Sequence, residues 1–144
     1  MKIYFAGSVR AGRSDQDFYY AIVSELKKYG KVLTEHLGNK SLSDQGEQGV
    51  TETHVFKRDM KWVEEADLFV GEVTTPSFGV GYEIGQADFM NKRIILLYRS
   101  TEGKKLSTML LGNKRLKIVR YSDIEEISKI LEDFFKNNII NTSS

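Results

Sequence analysis

The chain has 144 residues, 40% hydrophobic and 28% charged, with a formal net charge of +1 and no cysteine. That length suits one domain with a proper core, and so small a charge gives no electrostatic argument for nucleic acid or an anionic membrane surface. The missing thiol excludes disulfides, thiolate metal sites and cysteine nucleophiles, while the lack of a long apolar run or a leader predicts a cytoplasmic protein, or a nuclear one in a eukaryote.

Lys2 to Ala6 predicts a buried first strand, ended by the loop Gly7-Ser8-Val9-Arg10-Ala11-Gly12-Arg13. Phe18, Ile22, Leu26 and Tyr29 recur at helical spacing after a Ser14-Asp15 cap, and Gly30 stops that helix. Lys31 to Thr34 predicts a short second strand, followed by a polar loop to Gly49. Thr51 to Glu65 predicts a second helix with Val55, Phe56, Met60, Trp62 and Val63 inward. Asp67 to Val73 is the expected third strand. Thr74 to Gly85 then reads as a tight, glycine-rich turn with the chain's one proline, opening a helix as Glu83 arrives.

The near-continuous apolar run Arg93 to Tyr98 is typical of a parallel strand covered on both faces. A short helix over Leu106 to Leu111 and a fifth strand over Arg115 to Val119 follow. Ile124, Ile127, Leu131, Phe134 and Phe135 mark a closing amphipathic helix. Residues 1–140 are expected to form the domain, and 141–144 a frayed tail.

Alternating strands and helices predict an α/β fold: a doubly wound, five-stranded parallel sheet of flavodoxin-like order 2-1-3-4-5. Ligands in such sheets bind beyond the carboxyl ends of strands one and three, where the order switches. The loops leaving those strands, Gly7 to Arg13 and Thr74 to Gly81, are rich in glycine and hydroxyl groups.

Glu83 has two readings. It is a nucleophile or base held ionised by a helix amino end, or a first-turn Glu that the helix dipole favours and nothing more. Asp59 falls on the apolar face of the second helix, so it is either ion-paired, with Arg10 a candidate, or a second carboxylate facing the same pocket. Ser8, Arg10, Ser77 and Ser107 are candidate phosphate ligands. Tyr4 and Tyr82 could contact a sugar or simply fill core. No Walker or dinucleotide spacing is present, and His36 and His54 lack partners at metal-ligand spacing, so neither cofactor nor metal is expected.

The assembled pieces resemble the 2′-deoxynucleoside 5′-phosphate N-hydrolase family, relatives of the nucleoside 2-deoxyribosyltransferases. They are Tyr4 to Arg13, Val32-Leu33-Thr34-Glu35-His36, Asp59-Met60-Lys61-Trp62, Ala66-Asp67 with Glu72-Val73-Thr74, Pro76 to Gly85, Asn91-Lys92-Arg93-Ile94 and Leu106-Ser107. The resemblance implies cleavage of the N-glycosidic bond of a deoxynucleoside monophosphate, with Glu83 attacking C1′ and Asp59 positioning the sugar and assisting proton transfer. It further implies that Gly7, Ser8, Val9, Arg10, Ser77 and Gly79 contact phosphate and sugar. Ser107 would reach the neighbouring subunit's phosphate in a homodimer. The alternatives are a deoxyribosyltransferase acting on unphosphorylated nucleosides and a non-catalytic nucleotide sensor. Base preference is left open, because the segment Gly38 to Gly49 follows no recognised pattern.

Overall fold

The computed structural model describes residues 1–9, 15–39, 42–43, 45–100 and 105–142. Five strands, β1 (Lys2–Ala6), β2 (Lys31–Val32), β3 (Leu68–Glu72), β4 (Arg93–Arg99) and β5 (Lys117–Tyr121), form one sheet of order β2-β1-β3-β4-β5. Every pairing is parallel, as the sequence predicts. The helices are α1 (Gln16–Leu26), α2 (Glu52–Glu65), α3 (Phe78–Phe89), α4 (Thr108–Gly112) and α5 (Glu125–Thr142), with a 3₁₀ turn at Glu35–Gly38 that periodicity did not anticipate.

Strand side chains alternate between faces, and two cores result. Ile3, Phe5, Leu68, Val70, Ile95 and Leu97 pack with Ile22 and Leu26 of α1 and Ile127 and Leu131 of α5. Tyr4, Ala6, Phe69, Ile94 and Leu96 pack instead with Val63 of α2 and Val80, Ile84 and Ala87 of α3. The second helix departs from expectation at Phe56, which is 50% exposed. Seven residues before buried Val63, it lies on the same face of the helix, but at the amino end that face looks onto a cavity and meets the Tyr82 ring, with centroids 6.1 Å apart, instead of the core.

β2 stops after two residues because Thr34 takes over its hydrogen bonds. The Thr34 hydroxyl accepts from the Phe5 N–H at 2.8 Å and donates to the Phe5 carbonyl at 2.6 Å, so the edge of β1 is closed by a side chain rather than a strand.

At the carboxyl ends of β3 and β4 lies a buried ionic knot that no sequence pattern announced. Arg99 ends β4 only 9% exposed, and Glu72 ends β3 at 1%. Arg99 Nη1 donates to Glu72 Oε2 at 2.9 Å and to the Tyr121 hydroxyl at 3.1 Å, while Nη2 pairs with Asp15, the residue ahead of α1. The Tyr121 hydroxyl also bonds Glu72. Thr75 donates to Asp15 Oδ2 at 2.6 Å, the Thr74 N–H donates to Glu72 Oε1 at 2.7 Å, and the guanidinium lies 3.6 Å from the Phe18 ring centroid.

Removing that cation strands two buried carboxylates. Arg99→Met is expected to cost about 3–5 kcal/mol of folding stability in urea titration. Tyr121→Phe, which leaves both ion pairs, should cost clearly less.

Candidate active site

A cavity of about 410 Å³ opens at the carboxyl ends of β1 and β3. Tyr4, Gly7 and Val9 line it from the first strand and loop, Thr34 and His36 from the turn after β2, and Glu47 and Val50 from the segment before α2. Phe56 and Asp59 of α2 and Gly79, Tyr82 and Glu83 of α3 complete the wall with Ser77. Topology alone would place a ligand here.

The turn into α3 differs from the expectation in a way that changes the chemistry. The helix begins at Phe78, with Ser77 as its cap: the Ser77 Oγ accepts from the Val80 N–H at 3.3 Å. Gly79, Gly81 and Gly85 are therefore helical residues, each tolerated at about 1 kcal/mol relative to alanine. Glu83 sits in the second turn, beyond the reach of the amino-end dipole. The dipole does not hold it ionised. Burial instead pushes its carboxyl up to about 7, with the Asp59 charge acting in the same direction and a hydrogen bond from the Tyr4 hydroxyl opposing both.

Tyr4 is suited to that donor role. Its ring is 1% exposed and stacks on Phe69 with centroids 5.3 Å apart, so the hydroxyl has a fixed position. Burial and the two carboxylates push its phenol well above the usual tyrosine range, so it remains protonated beside Glu83.

Asp59 does face the pocket, and it also has an ion-pair partner. That partner is Arg58, its chain neighbour, whose Nε donates to Asp59 Oδ1 at 2.9 Å. Arg10, the partner suggested by sequence and a candidate phosphate ligand, lies outside the described residues. Burial pushes the Asp59 carboxyl upward and the Arg58 bond pulls it back.

The opposite end of the cavity is built for small contacts. A Cβ on Gly7 would meet the Tyr19 ring at 2.9 Å, so only glycine fits there without displacing the ring. The Ser8 N–H donates to the Tyr19 hydroxyl at 2.9 Å, which fixes the loop. Ser8 itself is 1% exposed, and its hydroxyl finds no hydrogen-bond partner among the described residues. That hydroxyl is not on the cavity wall, which Gly7 and Val9 form on either side of it. Ser77 spends an acceptor lone pair on its cap and keeps its own proton to donate. Ser107 stands apart: it is exposed, caps α4 by accepting from the Met109 N–H at 3.2 Å, and does not line this cavity.

Sequence reasoning missed Thr34, Glu47 and Arg58. Arg58 carried one signal, its position directly before the off-pattern Asp59. Glu47 carried none, since its tie to Arg58 spans a polar segment without periodicity.

The nucleoside 2-deoxyribosyltransferase family model matches residues 3–124. The 5-hydroxymethyl-dUMP N-hydrolase of Danio rerio is 46% identical over 138 residues, covering 94% of this chain and 96% of that protein. The Homo sapiens protein of the same name is 40% identical over 138 residues, covering 93% of this chain and 79% of its own. Among solved structures, a CMP N-glycosidase of Clostridium botulinum superposes with a TM-score of 0.65 at 20% identity, covering 92% of this chain and 99% of that one. That last likeness concerns the fold.

Titration of the Glu83 carboxyl by carbon NMR should give a midpoint near 7. Asp59→Asn should lower it by removing a like charge, and Tyr4→Phe should raise it by removing the donor. A midpoint near 4.5 in the unmodified protein would show that the carboxyl is solvated rather than buried.

Proposed function

The chain belongs to the nucleoside 2-deoxyribosyltransferase family, and we propose that it is an N-hydrolase acting on the N-glycosidic bond of deoxynucleoside 5′-monophosphates through a covalent intermediate on Glu83. The observation that carries this reading is the half-buried Glu83 carboxyl, set beside the Tyr4 hydroxyl in a cavity that Asp59 also lines. In the first step a Glu83 oxygen attacks C1′ of the sugar, the bond to the base nitrogen breaks, and the base leaves with the bonding pair. Asp59, raised by burial, stands by to orient the sugar and assist proton movement to the departing base. Water then attacks C1′ and gives up a proton to Asp59, which restores the one that went to the base; Glu83 leaves as carboxylate and 2-deoxyribose 5-phosphate is released.

The substrate class follows from charge development. A 2-deoxy sugar lacks the electron-withdrawing hydroxyl next to C1′, so an oxocarbenium-like transition state is easier to reach, and a carboxylate beneath that carbon stabilises it. Gly7, Val9, Ser77 and Gly79 would receive the phosphate and sugar. Ser77 caps the helix that carries Glu83 in its second turn. Six residues of helix rise about 9 Å, which fixes the distance from phosphate contact to attacking carboxylate.

A homodimer belongs to the same proposal. Phe78, Tyr82 and Phe89 are 102%, 52% and 85% exposed, and with Gly85 they form one stripe along α3. Cβ atoms added at Gly81 and Gly85 would meet nothing within 4 Å, leaving room for a close-packed partner. Met109 and Leu111 of α4 extend the apolar surface, and α4 is tethered to α3 through Asn113 and Asp88 at 2.8 Å. A second copy seated there would bring Ser107 toward its neighbour's cavity.

Incubating the protein with a panel of deoxy- and ribonucleoside monophosphates, including 5-hydroxymethyl-dUMP, and following base release by chromatography tests the reaction directly. Glu83→Ala is expected to lower turnover by about three orders of magnitude or more with the fold retained; wild-type turnover in that variant would eliminate the nucleophile assignment. Because the nucleophile must be ionised, kcat/KM should rise with pH through about 7. In sedimentation velocity, Phe78→Glu with Phe89→Glu should shift a dimer to monomer. Ser107→Ala should raise KM with the dimer intact.

A further inference from the structure

Beside the cavity lies an ion cluster of which the reaction as derived uses only Asp59. Arg58 Nη1 and Nη2 donate to Glu47 Oε1 and Oε2, both at 2.7 Å, while Nε donates to Asp59 Oδ1 at 2.9 Å. One planar guanidinium thus holds two carboxylates, one on α2 and one on the segment ahead of it. The side chains of Arg58, Glu47 and Asp59 are 19%, 27% and 20% exposed, so solvent screens the pairs only partly. The guanidinium carbon is 4.6 Å from the centroid of the Trp62 ring, a cation–π contact that limits the orientations open to it.

Among the described residues, the histidine nearest to Glu47 in an ion-pair geometry is His36, whose Nε2 is 3.7 Å from Glu47 Oε2. Burial pushes the His36 imidazole below its ordinary value and so toward the neutral form. Arg58 is the cation on which Glu47 depends. Glu47, Gly46 and Val50 all line the cavity. Moving this segment outward would take Glu47 off the fork and leave Arg58 held by Asp59 and Trp62 alone.

We propose that Arg58 is a positioning residue that couples the seating of the Gln45–Val50 segment against the cavity to the orientation of Asp59. The proposal rests on the hydrolase reading for its kinetic consequences. The structural coupling has its own readout, because Trp62 is the chain's one tryptophan and sits against Arg58.

Three variants separate the ties. Glu47→Gln removes the charge that holds the segment and leaves the Asp59 bond. Arg58→Gln removes both. Arg58→Lys keeps the charge but loses the fork that spans two carboxylates. With the best nucleotide of the panel, Glu47→Gln should raise KM about tenfold with kcat within about threefold. Arg58→Gln should show the same rise in KM plus at least a tenfold fall in kcat, and Arg58→Lys should follow Arg58→Gln. Acrylamide quenching of Trp62 should increase in all three variants.

Wild-type KM and wild-type quenching in Glu47→Gln, or equal kcat in the Glu47→Gln and Arg58→Gln proteins, would overturn the coupling. If the unmodified protein releases no base from any nucleotide, the hydrolase reading fails. The quenching comparison then decides the coupling alone, with unchanged quenching counting against it.

Discussion

The arrangement of this site depends on one guanidinium. Arg99 at the end of β4 holds Glu72 at the end of β3 and Asp15 at the start of α1, and Asp15 in turn holds Thr75. The loop after β1 and the turn after β3 are the two segments that topology gives to a ligand, and both are fastened to the same cation. Two carboxylates and a phenol around one buried arginine would be costly if any partner were missing. The cluster is fully engaged, a foundation whose residues stand outside the cavity wall. Loops carrying catalytic groups are ordinarily the more mobile parts of a fold; here their roots are among its most buried.

Over that foundation the site balances burial against ionisation. A carboxylate proposed as nucleophile must shed its proton, yet the environment that sharpens its attraction to a developing cation also favours the protonated form. At Glu83 burial dominates and one hydrogen bond from Tyr4 counters it. Asp59 repeats the pattern with a different counterweight, the guanidinium of Arg58. The two carboxyls are thus tuned by different partners, a neutral phenol for one and a full charge for the other. That division lets the pair carry different proton loads within one cavity.

The sheet was legible because its signals are local. The run Arg93 to Tyr98 is typical of a strand covered on both faces, and the helices between strands point to parallel pairing. The fifth strand lies two residues later than its hydrophobicity suggested, at Lys117–Tyr121. Arg115, read as the start of that strand, is instead occupied with Asp88 of α3. Glu83 and Asp59 could be found as carboxylates in improbable places, but the start of α3 could not be read from its glycines, since a serine cap outweighed them. Phe56 read as core because the pattern cannot distinguish a packed interior from the wall of a cavity. The Arg99 knot was invisible for a plainer reason: its pairs join residues 27 and 84 positions apart, and no periodicity encodes such a contact.

The shortened edge strand has a further meaning. Had β2 continued, its backbone would have met Phe5 in the usual ladder and its next side chains would have occupied the space beside Tyr4. Thr34 satisfies both polar groups of Phe5 with a single hydroxyl, and the chain is released into the 3₁₀ turn that carries His36. The hollow is a vacancy in the architecture, made by ending a strand early rather than by carving a finished core. Its depth is therefore set by a termination signal one side chain in size, and variation at residue 34 would change the room beside Tyr4 before it changed Glu83 or Asp59.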